Sequence, residues 1–226
     1  MRNVHKAAEL GTINSLPTAI LGDVAHFISR DPVGLTPLHT AARYGNLGQV
    51  PPQVLTEDNL LIKSSNDTTP VHLAALNAHL DQIPVALLTE KVLMCRDYFG
   101  RLPLHYASEN GNFVFLPAEL VKKGLLVGDN EGLTPLHYAA WYGHLDLMPI
   151  GTLTSELLCT RSDNGDTPLN MAACRGHLDQ ILGIELNDTE ELRQLVGSDW
   201  WDKNKAVLKQ KENLECSGPD TDVDLF

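Results

Sequence analysis

Apolar and polar positions along this chain fall into a recurring cassette rather than one continuous stripe. Leu38, Ala41 and Ala42 are followed by Gly45 and Leu47, and Leu136, Ala139 and Ala140 by Gly143 and Leu145. Apolar positions three and four apart share one face of a helix, so each cassette predicts a short helix with a narrow buried stripe. A residue-proline pair stands ahead of each stripe: Thr36-Pro37, Thr69-Pro70, Leu102-Pro103, Thr134-Pro135 and Thr167-Pro168. Their starts lie 33, 33, 32 and 33 residues apart. A threonine caps a helix N-terminus well, and a proline at the first helical position has no amide to lose. Gly45 ends its helix, where the left-handed conformation costs least without a Cβ. One such stripe cannot bury itself, so a constant period means units that bury their faces on one another.

The second half of each cassette carries its own punctuation. Pro17, Pro51, Pro84, Pro117 and Pro149 recur at spacings of 34, 33, 33 and 32. Inside a helix each would cost about 3 kcal/mol. They therefore read as restarts, with a turn such as Leu80-Asp81-Gln82-Ile83 followed by a helix that has Pro84 at its first position. Thr56, Thr89 and Thr154 read as caps of a further turn, closed by core residues such as Leu60-Leu61-Ile62 and Val92-Leu93-Met94.

Polar turns precede the tetrapeptides at Asp31 to Gly34, Asp97 to Gly100, Asp129 to Gly132 and Ser162 to Gly165. Turn, tetrapeptide Thr-Pro-Leu-His, Ala pair and Gly-x-Leu together resemble the ankyrin repeat over about 180 residues. The resemblance implies an all-α ankyrin-repeat solenoid, with helix-turn-helix units joined by β-turn or hairpin loops and a C-terminal helical cap. Six units are expected, starting near residues 1, 31, 64, 97, 129 and 162. The first, Val4-His5-Lys6-Ala7-Ala8, lacks the turn and the Thr-Pro, as a cap would. The array is expected over 1–185 and capping helices over 186–216, with Trp200 and Trp201 covering the last repeat. Residues 217–226 read as a disordered acidic tail. Four departures stand out: Asp67 and Ala78 replace glycines, Leu102 replaces a capping threonine, and Asn170 replaces the tetrapeptide histidine.

Composition narrows the chemistry. The formal net charge is −12, from 17 Lys and Arg against 29 Asp and Glu, which disfavours a nucleic-acid partner. No apolar run approaches a membrane span of about 20 residues, and no charged-then-apolar leader precedes the first unit. A cytoplasmic location is expected, with export as an effector by a non-classical route left open. Cys95, Cys159, Cys174 and Cys216 form no C-x-x-C pair and read as free thiols of a reducing compartment. Eight of nine histidines fall at repeat positions. Equivalent side chains of stacked helices lie about 8–10 Å apart, too far for one zinc with bonds of about 2.1 Å. No nucleophile elbow, P-loop, H-E-x-x-H or G-x-G-x-x-G occurs, so neither an enzyme nor a cofactor or metal site is expected.

What varies between units is the informative part. By the resemblance, residues between the turn Asp and Thr, and the two after the Ala pair, line a concave surface. The helix pairs are Arg43-Tyr44, Leu76-Asn77, Glu109-Asn110, Trp141-Tyr142 and Cys174-Arg175. Aromatics and arginines dominate interface energetics. The candidate binding residues are therefore Tyr98, Phe99, Arg101, Trp141 and Tyr142, extended by Tyr106, Tyr138, Arg43, Tyr44 and Arg175. A monomer that binds another protein through this groove is the leading expectation. The alternatives are a self-associating array using the Trp-bearing C-terminal helix, and a regulatory effector that inhibits its partner.

Overall fold

The computed structural model describes residues 2–149, 151–177 and 180. Its helices are α1 (Arg2–Leu10), α2 (Thr18–Leu21), α3 (Ala25–Ile28), α4 (Pro37–Arg43), α5 (Glu57–Leu60) and α6 (Pro70–Leu76). They continue with α7 (Glu90–Leu93), α8 (Pro103–Asn110), α9 (Ala118–Gly124), α10 (Pro135–Tyr142), α11 (Ser155–Leu158) and α12 (Pro168–Arg175). No strand occurs among the described residues. The capping helices, both tryptophans of the 186–216 segment and the acidic tail lie outside the described residues.

The long helix of each cassette forms where its caps predict. Thr36 Oγ1 accepts from the His39 amide, and His39 Nδ1 accepts in return from the Thr36 amide at 3.1 Å. Leu102 has no hydroxyl to offer, yet its amide still donates to His105 Nδ1 at 2.9 Å, so half of the reciprocal cap survives. Gly45 ends α4 at φ +71°, where a Cβ would also lie 2.8 Å from the His79 ring. Ala78 holds the same left-handed conformation at φ +60° with a Cβ, a strained choice.

Each long helix packs on the next: α1 on α4, then α6, α8, α10 and α12 in order. The Ala pairs sit at these contacts and are fully buried in α4, α6 and α10, so their backbones approach closely. One continuous core results, as stacking units require.

Histidines tie the stack together. His39 Nε2 donates to Thr68 O at 2.9 Å, His72 to Arg101 O, His105 to Leu133 O and His137 to Asp166 O, each at 3.1 Å. The tetrapeptide histidine thus caps its own helix with one nitrogen and holds the following unit with the other. Burial lowers the pKa of His39 and His72 to about 4 and of His105 to about 3. All three stay neutral near pH 7, as the two opposite hydrogen-bond roles of the ring require.

The prolines restart the chain as expected in kind. Pro17 and Pro117 stand immediately before α2 and α9. Pro84 stands before a 3-10 turn at Val85–Leu87 rather than a full helix, and Pro51 opens only a turn. Thr56, Thr89 and Thr154 accept from the amides of Asn59, Val92 and Leu157 at 3.3, 3.4 and 3.3 Å. Leu60, Val92 and Leu93 are buried beneath these caps.

Candidate functional site

The polar turns between units form a row of fingers. Asp97 Oδ1 accepts from the amides of Phe99 and Arg101, both at 2.9 Å, and Asp129 Oδ1 from those of Glu131 and Leu133. Successive fingers join edge to edge: the Tyr98 amide donates to Asn66 O, Asn130 to Phe99 O and Asp163 to Glu131 O. This fixes Tyr98 and Phe99 on one rigid finger, with their rings edge to face at 5.3 Å. Tyr98 is 68% exposed and Phe99 half-buried.

Three of the candidate residues turn inward instead. Arg101, Tyr106 and Tyr138 are 5%, 1% and 0% exposed, so no partner can rest on them. The Arg101 guanidinium lies over the rings of Phe99, Tyr106 and Tyr138 at 5.5, 5.8 and 5.2 Å, and 3.7 Å from Asp129 Oδ2. Tyr106 donates to Asp97 Oδ2 at 2.6 Å, and Tyr138 to Asp129 Oδ2 at 2.7 Å. Burial, reinforced by the adjacent carboxylates, pushes both phenols well above their usual range. Together these groups form a buried polar knot that locks two fingers onto α8 and α10.

The alignment of units could have signalled this. Tyr106 and Tyr138 occupy the place of Leu73 and Met171, which are apolar and buried. Arg101 occupies the place of Leu35, Thr68 and Leu133, the last two buried.

The remaining candidates fall into two groups. Trp141 and Tyr142 close α10 half-buried, and the exposed Arg175 of α12 lies 4.6 Å over the Trp141 ring. Burial, with the nearby Glu109 charge adding to it, pushes the Tyr142 phenol up to about 12. Glu109, outside the candidate set, belongs to this group: burial raises its carboxyl to about 7, and Arg101 only partly offsets this. Its signal was a carboxylate where other units carry Arg43, Leu76, Trp141 or Cys174.

Arg43 and Tyr44 lie three units away, about 24–30 Å by helix packing distances. They line a cavity of about 750 Å3 between α1 and α4, together with His5, Lys6, Glu9, Arg30 and His39. The structure therefore does not gather the ten candidates into one patch.

Among the described residues, no three His, Cys, Asp or Glu side chains converge as metal ligands, and no helix is long and apolar enough to cross a membrane. Cys95 and Cys159 are free.

No curated protein matches the chain. Residues 85–150 match the family model described as ankyrin repeats (3 copies). That segment spans α7, α8, α9 and α10, with the Asp97 and Asp129 fingers, the Leu-Pro and Thr-Pro starts and the His105 link to Leu133 O between them. The same cassette recurs from α4 to α12, and the chain carries ankyrin repeats.

Proposed function

We propose that this chain is a non-enzymatic adaptor that binds a partner protein along the groove between its fingers and its long helices. Ankyrin repeats are in general protein-protein interaction modules. The observation that carries the reading is the cluster on the central and C-terminal units. Tyr98 stands exposed on a braced finger, and Trp141 carries Arg175 on its face. Rigid aromatics and arginine lose little entropy on binding and dominate interface energy. The six-unit array over 1–185, the monomeric state and a cytoplasmic setting belong to the same proposal.

The test is partner capture from the native source by the full chain and by Tyr98→Ala/Trp141→Ala. Both side chains are partly exposed, so the double variant should keep its helical circular dichroism while capture is lost. Capture that survives the double substitution defeats the groove reading. Sedimentation of the chain across a concentration range separates it from the self-associating array, which predicts a mass that rises with concentration.

A further inference from the structure

At the opposite end of the long helices from the fingers, each unit makes a 3-10 turn or its equivalent before its restart proline. Aligned positions in these turns are Gln49, Gln82, Phe115, Leu147 and Gln180. The glutamines reach back to the preceding unit. Gln82 donates to Gly45 O and accepts from the Gly48 amide, and Gln180 donates to Gly143 O at 2.6 Å and accepts from the Leu145 amide. Leu147 replaces this bridge with a methyl over Gly111, where an added Cβ would lie 2.5 Å from Leu147 Cδ1.

Two neighbouring units thus expose apolar side chains at the place where Gln82 and Gln180 carry an amide bonded to the preceding unit. Val114 is 83% exposed, Phe115 41% and Leu147 51%. Asn112 in the same turn is 8% exposed, and its Nδ2 has no hydrogen-bond partner among the described residues. Its counterpart Asn46 donates to Ala8 O at 2.8 Å. Both side-chain ties to the preceding unit are therefore missing at 112–116.

Charge brackets this row. Val114 occupies the place of Asp81 in the unit before and Asp146 in the unit after. Both aspartates are exposed, and neither has an ion-pair partner among the described residues. The two carboxylates stand two units apart, about 16–20 Å by packing distance. A helix covers that span in about 11–13 residues.

We propose that Val114, Phe115 and Leu147 form a second docking surface, outside the groove, for a basic amphipathic helix of a partner protein. Apolar side chains of that helix seat on the three residues, and a Lys or Arg near each end faces Asp81 and Asp146. The chain's net charge of −12 draws the same class of partner.

The probes are a fluorescein-labelled helical peptide of about 14 residues with Leu on one face and Lys on the other, its Glu-for-Lys counterpart, and a Lys peptide of equal composition with the pattern scrambled. Anisotropy at low salt should show the full chain binding the patterned Lys peptide at least about tenfold more tightly than either control. V114D/F115Q/L147Q installs the residues the other units carry, so its fold is expected to be retained. Its affinity should fall at least about tenfold despite the added negative charge. D81N/D146N should weaken binding and flatten its salt dependence, and Tyr98→Ala/Trp141→Ala should leave it unchanged. The proposal is overturned if the triple variant binds like the unaltered chain or if the scrambled peptide binds equally well. It is equally overturned if the full chain binds nothing, as when its own residues cover the row, or if association between copies replaces peptide binding. Loss of groove capture in the Tyr98/Trp141 variant reads out independently.

Discussion

Arg101 is held by three aromatic rings and a buried carboxylate, and that setting decides what its removal does. Asp129 is satisfied by the amides of Glu131 and Leu133 and by Tyr138, but its charge lies against the guanidinium. Removing one partner of a buried ion pair leaves the other charge uncompensated, at a cost of about 3 kcal/mol or more. Arg101→Ala should therefore lower unfolding free energy by about that amount in a urea titration. Partner capture should fall only as far as the folded fraction does. A variant of unchanged stability that loses capture would return Arg101 to the interface. A buried arginine ringed by tyrosines and one at a binding patch look the same in a single unit. What separates them is the column they occupy, and Leu73, Met171 and Leu133 mark these columns as inward-facing. The columns of Tyr98 and Trp141 hold no such run of apolar residues, and there the sequence reading and the observed exposure agree.

At the scale of the element, the short helices depend on a cap that titrates. His39, His72 and His105 accept an amide on Nδ1, so protonation breaks the cap, while Nε2 keeps its bond to the next unit. Their folded pKa values, about 4, 4 and 3, lie below the usual 6.5. The unfolded chain therefore binds protons first as pH falls below 6.5, and each histidine withdraws stability down to its folded value. At pH 5 the loss is about 2 kcal/mol per histidine. Glu109 works in the opposite sense, because its raised pKa of about 7 makes the folded form the tighter proton binder from there down to about 4.5. Urea midpoints should thus drop steeply between pH 6.5 and 5. Asn170 shows how to isolate the effect: its Oδ1 accepts the Thr167 amide at 2.8 Å in the histidine's place. His72→Asn should be less stable at pH 7.5, having lost the bond to Arg101 O, and should show a shallower fall toward pH 5. An identical pH slope in the two proteins would rule out titration of the cap. The caps, the period and the restart prolines were legible because each is local chemistry repeated in register. Bonds such as His72 to Arg101 O join residues 29 apart, and only the stack brings them together.

Across the whole molecule, stability in such an array is a sum of unit terms and nearest-neighbour contacts, so it need not be uniform. α8 has a long helix on each side, with histidine links from His72 and His105 flanking it. Among the described residues α1 packs on one long helix, α4. Its histidine makes a different and weaker contact, His5 Nδ1 to Thr40 Oγ1 at 3.4 Å, while His5 Nε2 is buried without a partner among the described residues. The reason is the degenerate first cassette, which lacks the Thr-Pro start that orients the ring elsewhere. The bond from Asn46 to Ala8 O remains the main polar tie between α1 and the next unit. Native-state hydrogen exchange should therefore find amides of α1 opening at a free energy at least about 2 kcal/mol below those of α8, roughly a 30-fold difference in protection. Asn46→Ala should widen the gap by loosening α1 alone. Equal protection in α1 and α8, moving together with denaturant, would instead make the chain one cooperative block and defeat the nearest-neighbour account.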